Sequence, residues 1–420
     1  MHYMLIETVL NDCHKIKGFV YRRSRLEERD GEKVIVVDIE NRRNSKGICR
    51  ECKKSCPGYD HLLLREFHFI GLWGYRVIFC YTPRRVECFK HGIHVEYMPW
   101  AEGKSDITNV FRLFIAHWAK KLSWKEVGEA FKVGWGQVMD SVEHVVQYGL
   151  KHRTLDDIST LGIDEIAYRK GHEYLTLVYQ TDAHNRRLLW MGQSREAETL
   201  QSFFDWFGSE RIKNLTAICC DMWKPYLKVI KAMANNALLI LDRFHIMKML
   251  NEAVDKTRKM EAARLDAPKG EDMLYKSRWC LLKRPENLTD NQATRMKDLL
   301  KQNLQSVKAY LLKESFQKFW SYTSAAWAGK FFDQWAYMAA RSRIAPIKKV
   351  VKTLRKHKEC ILNWFRTKER ISNGIVEGFN GKAKLTMRKS YGFRTYNVLE
   401  IALYHALGNL PEPELTHRFY

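Results

Sequence analysis

The sequence has 420 residues, enough for two or three domains, and its 45% of apolar residues is typical of a folded protein rather than a disordered one. Its 71 Lys and Arg residues against 48 Asp and Glu residues give a formal net charge of +23, which predicts a polyanionic partner, of which nucleic acid is the commonest. The sequence has no run of about 18 apolar residues, and Asp12 and Lys15 come too early for a signal peptide, so a cytoplasmic protein without a membrane partner is expected.

The first predicted domain, residues 1–100, is rich in β structure. A strand is predicted over 33–40, after the polar turn "ERDGEK", and another over 75–88. Two pairs of metal-ligand residues flank the second of these strands.

These pairs are a CxxC motif and a CxxH motif formed by Cys49, Cys52, Cys88 and His91. Each pair bends the chain so that two ligands face one tetrahedral ion, which predicts a zinc-ribbon-like site with structural Zn²⁺. Reduced cysteines in a small hydrophobic cluster are the alternative, and Cys56 is a spare candidate ligand.

The second predicted domain, residues 101–155, is helical. Ser123 and Glu126 form a capping box at the start of a helix, and a glycine-containing turn separates that helix from the next. This outline is that of a DNA-binding helix-turn-helix, although many helical domains contain two short helices joined by a glycine turn. The second helix is expected to expose three residues to DNA, namely Gln137, Asp140 and Ser141.

From residue 156 the pattern becomes α/β, and we predict a domain made of residues 156–250 and 371–420. Three strands come first, followed by a helix, a strand, a helix and a strand. This order is that of a ribonuclease-H-like fold, in which the first and fourth strands are neighbours. Asp164 is predicted to end the first strand and Asp221 the fourth.

Residues 251–370 are rich in Lys, Arg and Trp and have no strand pattern, so a helical insertion is predicted to interrupt the α/β domain. Lys276, Arg278 and Trp279 are candidates for gripping DNA or stacking on a base, against a core position for the tryptophan. The basic run 341–358 is interpreted as a solvated helix face.

The C-terminal segment predicts a helix that Ser372 or Asn373 caps and that carries Glu377 in its first turn. Asn380 begins a face that continues at four-residue steps. Phosphate contacts are expected from three basic residues of this segment, Lys382, Lys384 and Arg388.

Asp164, Asp221 and Glu377 are therefore supplied by two strand ends and a helix start. Phosphodiester chemistry uses such a cluster, because two divalent ions about 4 Å apart are held by carboxylates, the hard oxygen ligands that Mg²⁺ prefers. The simpler interpretation is that each acid closes a turn or stabilises a helix N-terminus.

Three segments resemble the DDE transposases of bacterial insertion sequences, specifically the ISL3 family: "LGIDEIAYRKGHEYLTLVY", "CCDMWKPYLKVIKAMANNALLILDRFHIMKML" and "SNGIVEGFNGKAKLTMRKSYGFR". The resemblance extends over nearly the whole chain and includes "RRVECFKHGIHVEYMPW". It implies that Asp164, Asp221 and Glu377 are the three catalytic acids and that Asp242 and His245 lie near them. Many relatives have a cysteine where this chain has His91, and imidazole is also an accepted zinc ligand.

The resemblance also implies an activity and its partners. Mg²⁺ or Mn²⁺ would support hydrolysis at the ends of the element, and the freed 3′ hydroxyls would attack target DNA. The partners would be double-stranded DNA, as terminal inverted repeats and as target, and further copies of the chain in a dimer or larger synaptic assembly. The expected location is the bacterial cytoplasm, in association with the nucleoid.

Two other functions fit the same sequence. One is a DNA-binding regulator whose α/β domain has become a scaffold, and the other is a nuclease of the same fold that does not transpose. Loss of cleavage on replacing Asp221 distinguishes the enzyme from the regulator, and joining of pre-cleaved ends distinguishes the transposase from the nuclease.

Overall fold

The structure is a computed structural model that describes residues 5–414 except for Lys170, His172, residues 266–273, residues 368–373 and Tyr391. The chain divides into two units, Met1–Arg153 with Leu385–Tyr420, and Thr154–Lys384. The predicted helix cap, Ser372 or Asn373, lies outside the described residues.

The first unit begins with helix α1 (Ile6–Cys13) and a series of strands: β1 (Phe19–Arg29), β2 (Glu32–Asn41), β3 (Gly47–Ile48), β4 (Ser55–Cys56), β5 (Gly58–His61), β6 (Arg65–Leu72), β7 (Tyr75–Tyr81), β8 (Arg84–Cys88) and β9 (Gly92–Val95). They form a four-stranded sheet of order β1-β2-β7-β6, a three-stranded sheet of order β5-β8-β9 and the pair β3-β4. Trp100 is buried against the four-stranded sheet, with its ring edge-on to Phe19 and Tyr81.

The strand predicted over 33–40 is confirmed within β2, and the turn before it places Asp30 and Gly31 at positive φ. The strand predicted over 75–88 is instead two strands that belong to different sheets. The break falls at Pro83, which has no N–H to donate to a continuous ladder.

Three helices complete the N-terminal part of this unit: α2 (Asn109–Lys121), α3 (Trp124–Phe131) and α4 (Trp135–His152). The capping box of Ser123 and Glu126 at the start of α3 is confirmed, and α3 ends at Lys132 in the left-handed conformation. Val138 and Val142 of α4 are buried, as their spacing predicts.

The second unit begins with an α/β segment: β10 (Thr160–Arg169), β11 (Glu173–Gln180), β12 (Arg187–Gln193), α5 (Ala197–Phe207), α6 (Ser209–Lys213), β13 (Ala217–Cys220), α7 (Lys224–Met233) and β14 (Leu238–Leu241). The sheet order is β12-β11-β10-β13-β14. The first three strands are antiparallel, and β10, β13 and β14 are parallel. The expected pairing of the first strand with the fourth is confirmed as β10 beside β13.

A helical segment follows: α8 (Arg243–Leu265), α9 (Arg278–Leu282), α10 (Asp290–Leu300), α11 (Gln305–Gln317), α12 (Ala325–Arg341), α13 (Ala345–Lys356) and α14 (Lys358–Leu362). Among the described residues from 243 to 367 there is no strand. These helices share one hydrophobic core with the five-stranded sheet, which explains the buried Trp335 and Phe316.

Two helices end the described chain, α15 (Gly374–Lys389) and α16 (Tyr396–Leu407). The sequence assigns all of 371–420 to the α/β domain, whereas residues 385–414 belong to the first unit, where α16 packs against α4. The apolar face of α16, including Leu399 and Leu403, supplies this contact. The predicted division into four domains remains a prediction.

Among the described helices, none combines the length and the apolar character that crossing a membrane requires.

Candidate active site

Three aspartates lie in one row across the parallel part of the five-stranded sheet. Gly162 of β10 pairs with Cys219 of β13, and Cys220 of β13 pairs with Leu241 of β14. Extended past the last paired residues, this register places Asp164 of β10 at the same end of the sheet as Asp221 and Asp242, which directly follow β13 and β14. Neighbouring strands are about 4.8 Å apart, so the row concentrates three carboxylates at one edge of the sheet.

Asp164 does not end its strand, contrary to the prediction, because β10 continues to Arg169 in its pairing with β11. What ends near Asp164 is the pairing with β13, which stops at Gly162. Asp221 does follow directly after its strand, and its Oδ1 accepts a hydrogen bond from the Trp223 N–H at 2.8 Å.

Glu377 comes from the first turn of α15 and is exposed. Its helix approaches β10 closely, because a Cβ atom on Gly162 would lie only 2.5 Å from Cγ2 of Val376. The missing side chain at position 162 therefore lets the helix that carries Glu377 pack against the strand that carries Asp164.

The three predicted catalytic acids share an electrostatic environment. Burial raises the pKa of the Asp164 carboxyl, and the charges of Asp242 and Asp221 raise it further. Burial also raises the pKa of Asp221, and burial with the charges of Asp242 and Asp164 raises that of Glu377. The cluster is self-repelling when ionised without a cation, which is the condition that favours binding of a divalent ion.

Asn380 joins Asp164 to the helix of Glu377. Its Nδ2 donates a hydrogen bond to Oδ2 of Asp164 at 2.6 Å, and its Oδ1 accepts one from the Tyr179 hydroxyl at 2.8 Å. Asn380 and Tyr179 are both buried, and the Tyr179 ring stacks on Phe379 with 4.9 Å between centroids. The sequence identified Asn380 only as part of a helical face and assigned it no role.

His245 lies beside Asp242, the third member of the acid row, so both residues that the resemblance placed near the predicted acids are found there. Oδ2 of the buried Asp242 is 2.7 Å from Nδ1 of His245, and this contact raises the pKa of the imidazole. The charges of Asp164 and Asp221 raise the pKa as well, so the acid cluster favours the imidazolium form.

Two further charged residues adjoin the cluster and were not predicted. Burial, together with the charge of Asp221, raises the pKa of Glu165 to about 7. Arg195 partly offsets this effect, and its guanidinium lies over the rings of Tyr174 and Trp223 at 4.3 and 5.3 Å. These aromatic residues and Arg195 line a cleft of about 700 Å³.

The acid cluster has the donor chemistry for hard divalent ions, since carboxylate oxygens are their usual protein ligands. The carboxylate oxygens of this cluster lie farther apart than the ligand atoms of a single-ion site. Among the described residues, only Cys49, Cys52, Cys88 and His91 form a group of possible ligands whose atoms all lie within 4.8 Å of one another. A wider spacing suits a pair of ions separated by about 4 Å.

The predicted zinc ligands, in contrast, already form a closed set. Nδ1 of His91 is 3.5 Å from Sγ of both Cys49 and Cys88, and Sγ of Cys52 is 3.8 Å from Sγ of Cys88. A tetrahedral zinc ion with usual bond lengths requires separations of about 3.5 Å between N and S and about 3.8 Å between two S atoms. The four side chains therefore fit Zn²⁺.

The spare candidate, Cys56, is buried beside this set, and Nε2 of His94 lies 3.1 Å from Sγ of Cys49. Backbone N–H groups of Cys52 and Glu51 outweigh the effect of burial and lower the pKa of the Cys49 thiol to about 5. A thiolate is the form of cysteine that binds zinc.

The residues predicted to read DNA from α4 differ in exposure. Asp140 is exposed, but the expected exposure of Ser141 is wrong, because its side chain is buried and its hydroxyl donates to the Gln137 carbonyl at 2.6 Å. Gln137 is engaged at both ends, since it accepts from the Gly134 N–H and donates to Asp106.

All six basic or aromatic residues predicted to contact DNA elsewhere are exposed: Lys276, Arg278, Trp279, Lys382, Lys384 and Arg388. The Arg278 guanidinium lies 5.1 Å from the centroid of the Trp279 ring, and Trp279 is 52% exposed rather than part of the core.

Comparison with known proteins gives consistent matches. A family model described as "Transposase", that of the DDE transposases of ISL3 type, matches residues 161–403. The transposase for insertion sequence element IS1001 of Bordetella parapertussis is 28% identical over 83% of this chain and 85% of its own length. The transposase for insertion sequence element IS1557 of Mycobacterium tuberculosis is 28% identical over 91% of this chain and 90% of its own.

Proposed function

The chain belongs to the ISL3 family of DDE transposases, and from this membership we propose that it cleaves DNA at the ends of an insertion sequence and joins those ends to target DNA. The proposal is supported by the row of Asp164, Asp221 and Asp242 and by the helix of Glu377, which packs against β10 and whose acid feels the charges of Asp242 and Asp164. A cluster of buried acids in a chain of net charge +23 is expected at a place where the chain binds cations beside a polyanion.

The catalytic domain is proposed to be ribonuclease-H-like. The strand order β12-β11-β10-β13-β14, with three antiparallel strands followed by two that are parallel to β10, supports this assignment. Asp164 and Asp221 lie on the adjacent first and fourth strands, as that fold requires of its acids.

In this proposal Asp164, Asp221 and Glu377 hold two Mg²⁺ or Mn²⁺ ions. When bound, such ions activate the attacking oxygen and stabilise the leaving oxygen of an in-line displacement at phosphorus. Water attacks in the cleavage step, and the freed 3′ hydroxyl attacks a target phosphodiester in the joining step. Each step forms one P–O bond and breaks one, so no covalent protein–DNA intermediate is needed.

The neighbouring residues have supporting parts in this chemistry. Asn380 fixes the orientation of Asp164, and Asp242 fixes the ring of His245. The charge of His245 lowers the pKa of Asp164, and the charges of His245 and Arg195 lower that of Asp221. Both cations therefore offset the repulsion between the acids.

End recognition is proposed for the first unit, with a zinc-ribbon-like module and a helix-turn-helix formed by α3 and α4. Asp140, on the exposed face of α4, is the candidate for base contact, whereas Gln137 would first have to leave Asp106. Phosphate contacts are proposed for the exposed basic residues Lys276, Arg278, Lys382, Lys384 and Arg388, with Trp279 stacking on a base. Two ends must be brought together, so a dimer or larger assembly is proposed.

The test of the function is joining of pre-cleaved ends. We expect the protein with Mn²⁺ to join a duplex with a free 3′ hydroxyl at the element's end to a circular plasmid, detected as labelled linear and nicked product. Cleavage of intact ends without joining would instead identify a nuclease of the same fold. Binding without either reaction would identify a regulator.

A second expectation concerns Asn380→Ala. Loss of the amide frees Asp164 to rotate, so the Mn²⁺ concentration for half-maximal cleavage rises by roughly 10–100-fold, as is typical when a residue that orients a metal ligand is removed. Tyr179→Phe keeps the contact between Asn380 and Asp164 and is expected to have a smaller effect. An unchanged Mn²⁺ requirement in Asn380→Ala would mean that Asp164 is oriented by other contacts.

A further inference from the structure

On two helices of the second unit, α7 and α13, every charged residue that faces solvent is basic. On α7 the exposed cations are Lys224, Lys228 and Lys231, and on α13 they are Lys348, Lys349, Lys352, Arg355 and Lys356. We call these eight residues the lysine track. The sequence interpreted the α13 part of it as a solvated helix face and assigned no role to the α7 part.

The buried sides of both helices explain why the cations point outward. Leu227 and Ile230 of α7, and Ile347, Val351 and Leu354 of α13, lie in the core. Residues four and seven positions apart share a helical face, so Lys224, Lys228 and Lys231 form one stripe opposite the core.

The track lacks the acidic partners that accompany other exposed lysines of the helical segment. Neither α7 nor α13 contains Asp or Glu, and none of the eight cations forms an ion pair with an acidic side chain that the structure describes. In contrast, Lys301 pairs with Asp298 and Lys358 with Asp333. Like charges at this spacing repel one another, so the track is stabilised by an external polyanion.

The α7 stripe begins beside the acid cluster, and the end of α13 is within electrostatic reach of that stripe. Helix α7 starts three residues after Asp221. His357 follows the last residue of α13, and burial lowers its pKa, as do the charges of Lys356 and of the α7 residues Lys231 and Lys224. Helix α13 is about 18 Å long, a length over which one strand of a duplex carries roughly five phosphates.

We propose that the lysine track binds the sugar–phosphate backbone of duplex DNA beside the cleavage site and holds it by charge, without reading bases. The proposal rests on the proposed function, because the DNA in question is the substrate of the acid cluster. That DNA is either the element's end or the target, and both present the same backbone.

The test compares full-length variants by fluorescence anisotropy with two duplexes, one carrying the element's end and one of unrelated sequence, over a series of salt concentrations. For the triple variant Lys348→Ala, Lys352→Ala and Arg355→Ala, we expect the slope of log K against log salt to fall by about three. A drop with both duplexes indicates a shared backbone site, whereas a drop with the unrelated duplex alone assigns the track to target DNA and one with the end duplex alone assigns it to the end.

The matched control is Lys297→Ala, Lys308→Ala and Lys318→Ala, which removes three exposed lysines from the same helical segment and is expected to keep the wild-type slope. Replacing Lys348 and Lys352 by Arg keeps the charge and should keep binding, which separates loss of contact from loss of fold. Equal slopes in the Ala triple and its control would overturn the proposal. Joining of pre-cleaved ends at low salt then reports separately on the proposed function.

Discussion

We expect Asp221→Asn to lower the rates of strand cleavage and strand joining by roughly 10³-fold and to leave affinity for the same DNA unreduced. The substitution keeps the size of the side chain and removes one of the carboxylates proposed to hold the divalent ions. A metal acting as a Lewis acid contributes several kcal/mol of transition-state stabilisation, and a loss of about 4 kcal/mol corresponds to a roughly 10³-fold lower rate. Gel assays of cleavage and anisotropy with labelled ends measure the two quantities.

The same variant should not be less stable than the wild-type protein. Burial and neighbouring acids raise the pKa of Asp221, so its charge opposes folding when no metal is bound, and the neutral amide removes that opposition. We therefore expect an equal or higher melting temperature for Asp221→Asn in EDTA at neutral pH. The control is Asp205→Asn on α5, an exposed acid of the same unit that should cleave normally. Normal cleavage by Asp221→Asn would exclude Asp221 as a metal ligand.

We expect Cys88→Ser to lose both its bound zinc and its affinity for DNA that carries the element's ends. Structural zinc contributes about 10–16 kcal/mol of apparent binding free energy in small zinc modules, which exceeds the stability of most domains. Strands β3 and β4 beside the site are only two residues long each, so a bound ion would add a large share of the local stability. Elemental analysis by mass spectrometry is expected to give one zinc per wild-type chain and none in the variant.

Two serine substitutions define the ligand set. Cys13→Ser changes an exposed thiol of the same unit and should keep zinc. Cys56→Ser should also keep it, because His91 rather than Cys56 has its ligand atom close to those of Cys49, Cys52 and Cys88. Loss of zinc in Cys56→Ser with retention in Cys88→Ser would reverse this assignment, and a folded wild-type protein without zinc would favour reduced cysteines in a hydrophobic cluster.

Features carried by short stretches of chain could be predicted from the sequence. The capping box at Ser123 depends on residues three apart, and the zinc pairs depend on two tight turns, so both are visible locally. The alternation of strands and helices gave the order of the α/β elements and the neighbouring positions of Asp164 and Asp221.

Features that depend on distant contacts could not be predicted. The hydrogen bond from Asn380 to Asp164 joins residues 216 positions apart. Ser141 is a different case, because helical spacing puts it on the same face as the buried Val138 and Val142, and a serine that donates to the carbonyl four residues earlier is satisfied when buried. The packing of α16 with α4 is likewise decided by apolar contacts far apart in the chain.

The close approach at Gly162 means that the acid motifs alone do not define a functional copy of this gene. All three acids can be present while a single added methyl group at position 162 displaces Val376, and with it the helix that carries Glu377. A copy can therefore keep Asp164, Asp221 and Glu377 and still lose the arrangement that brings them together. Gly162 is therefore as informative as the three acids about whether a copy of the element is able to move.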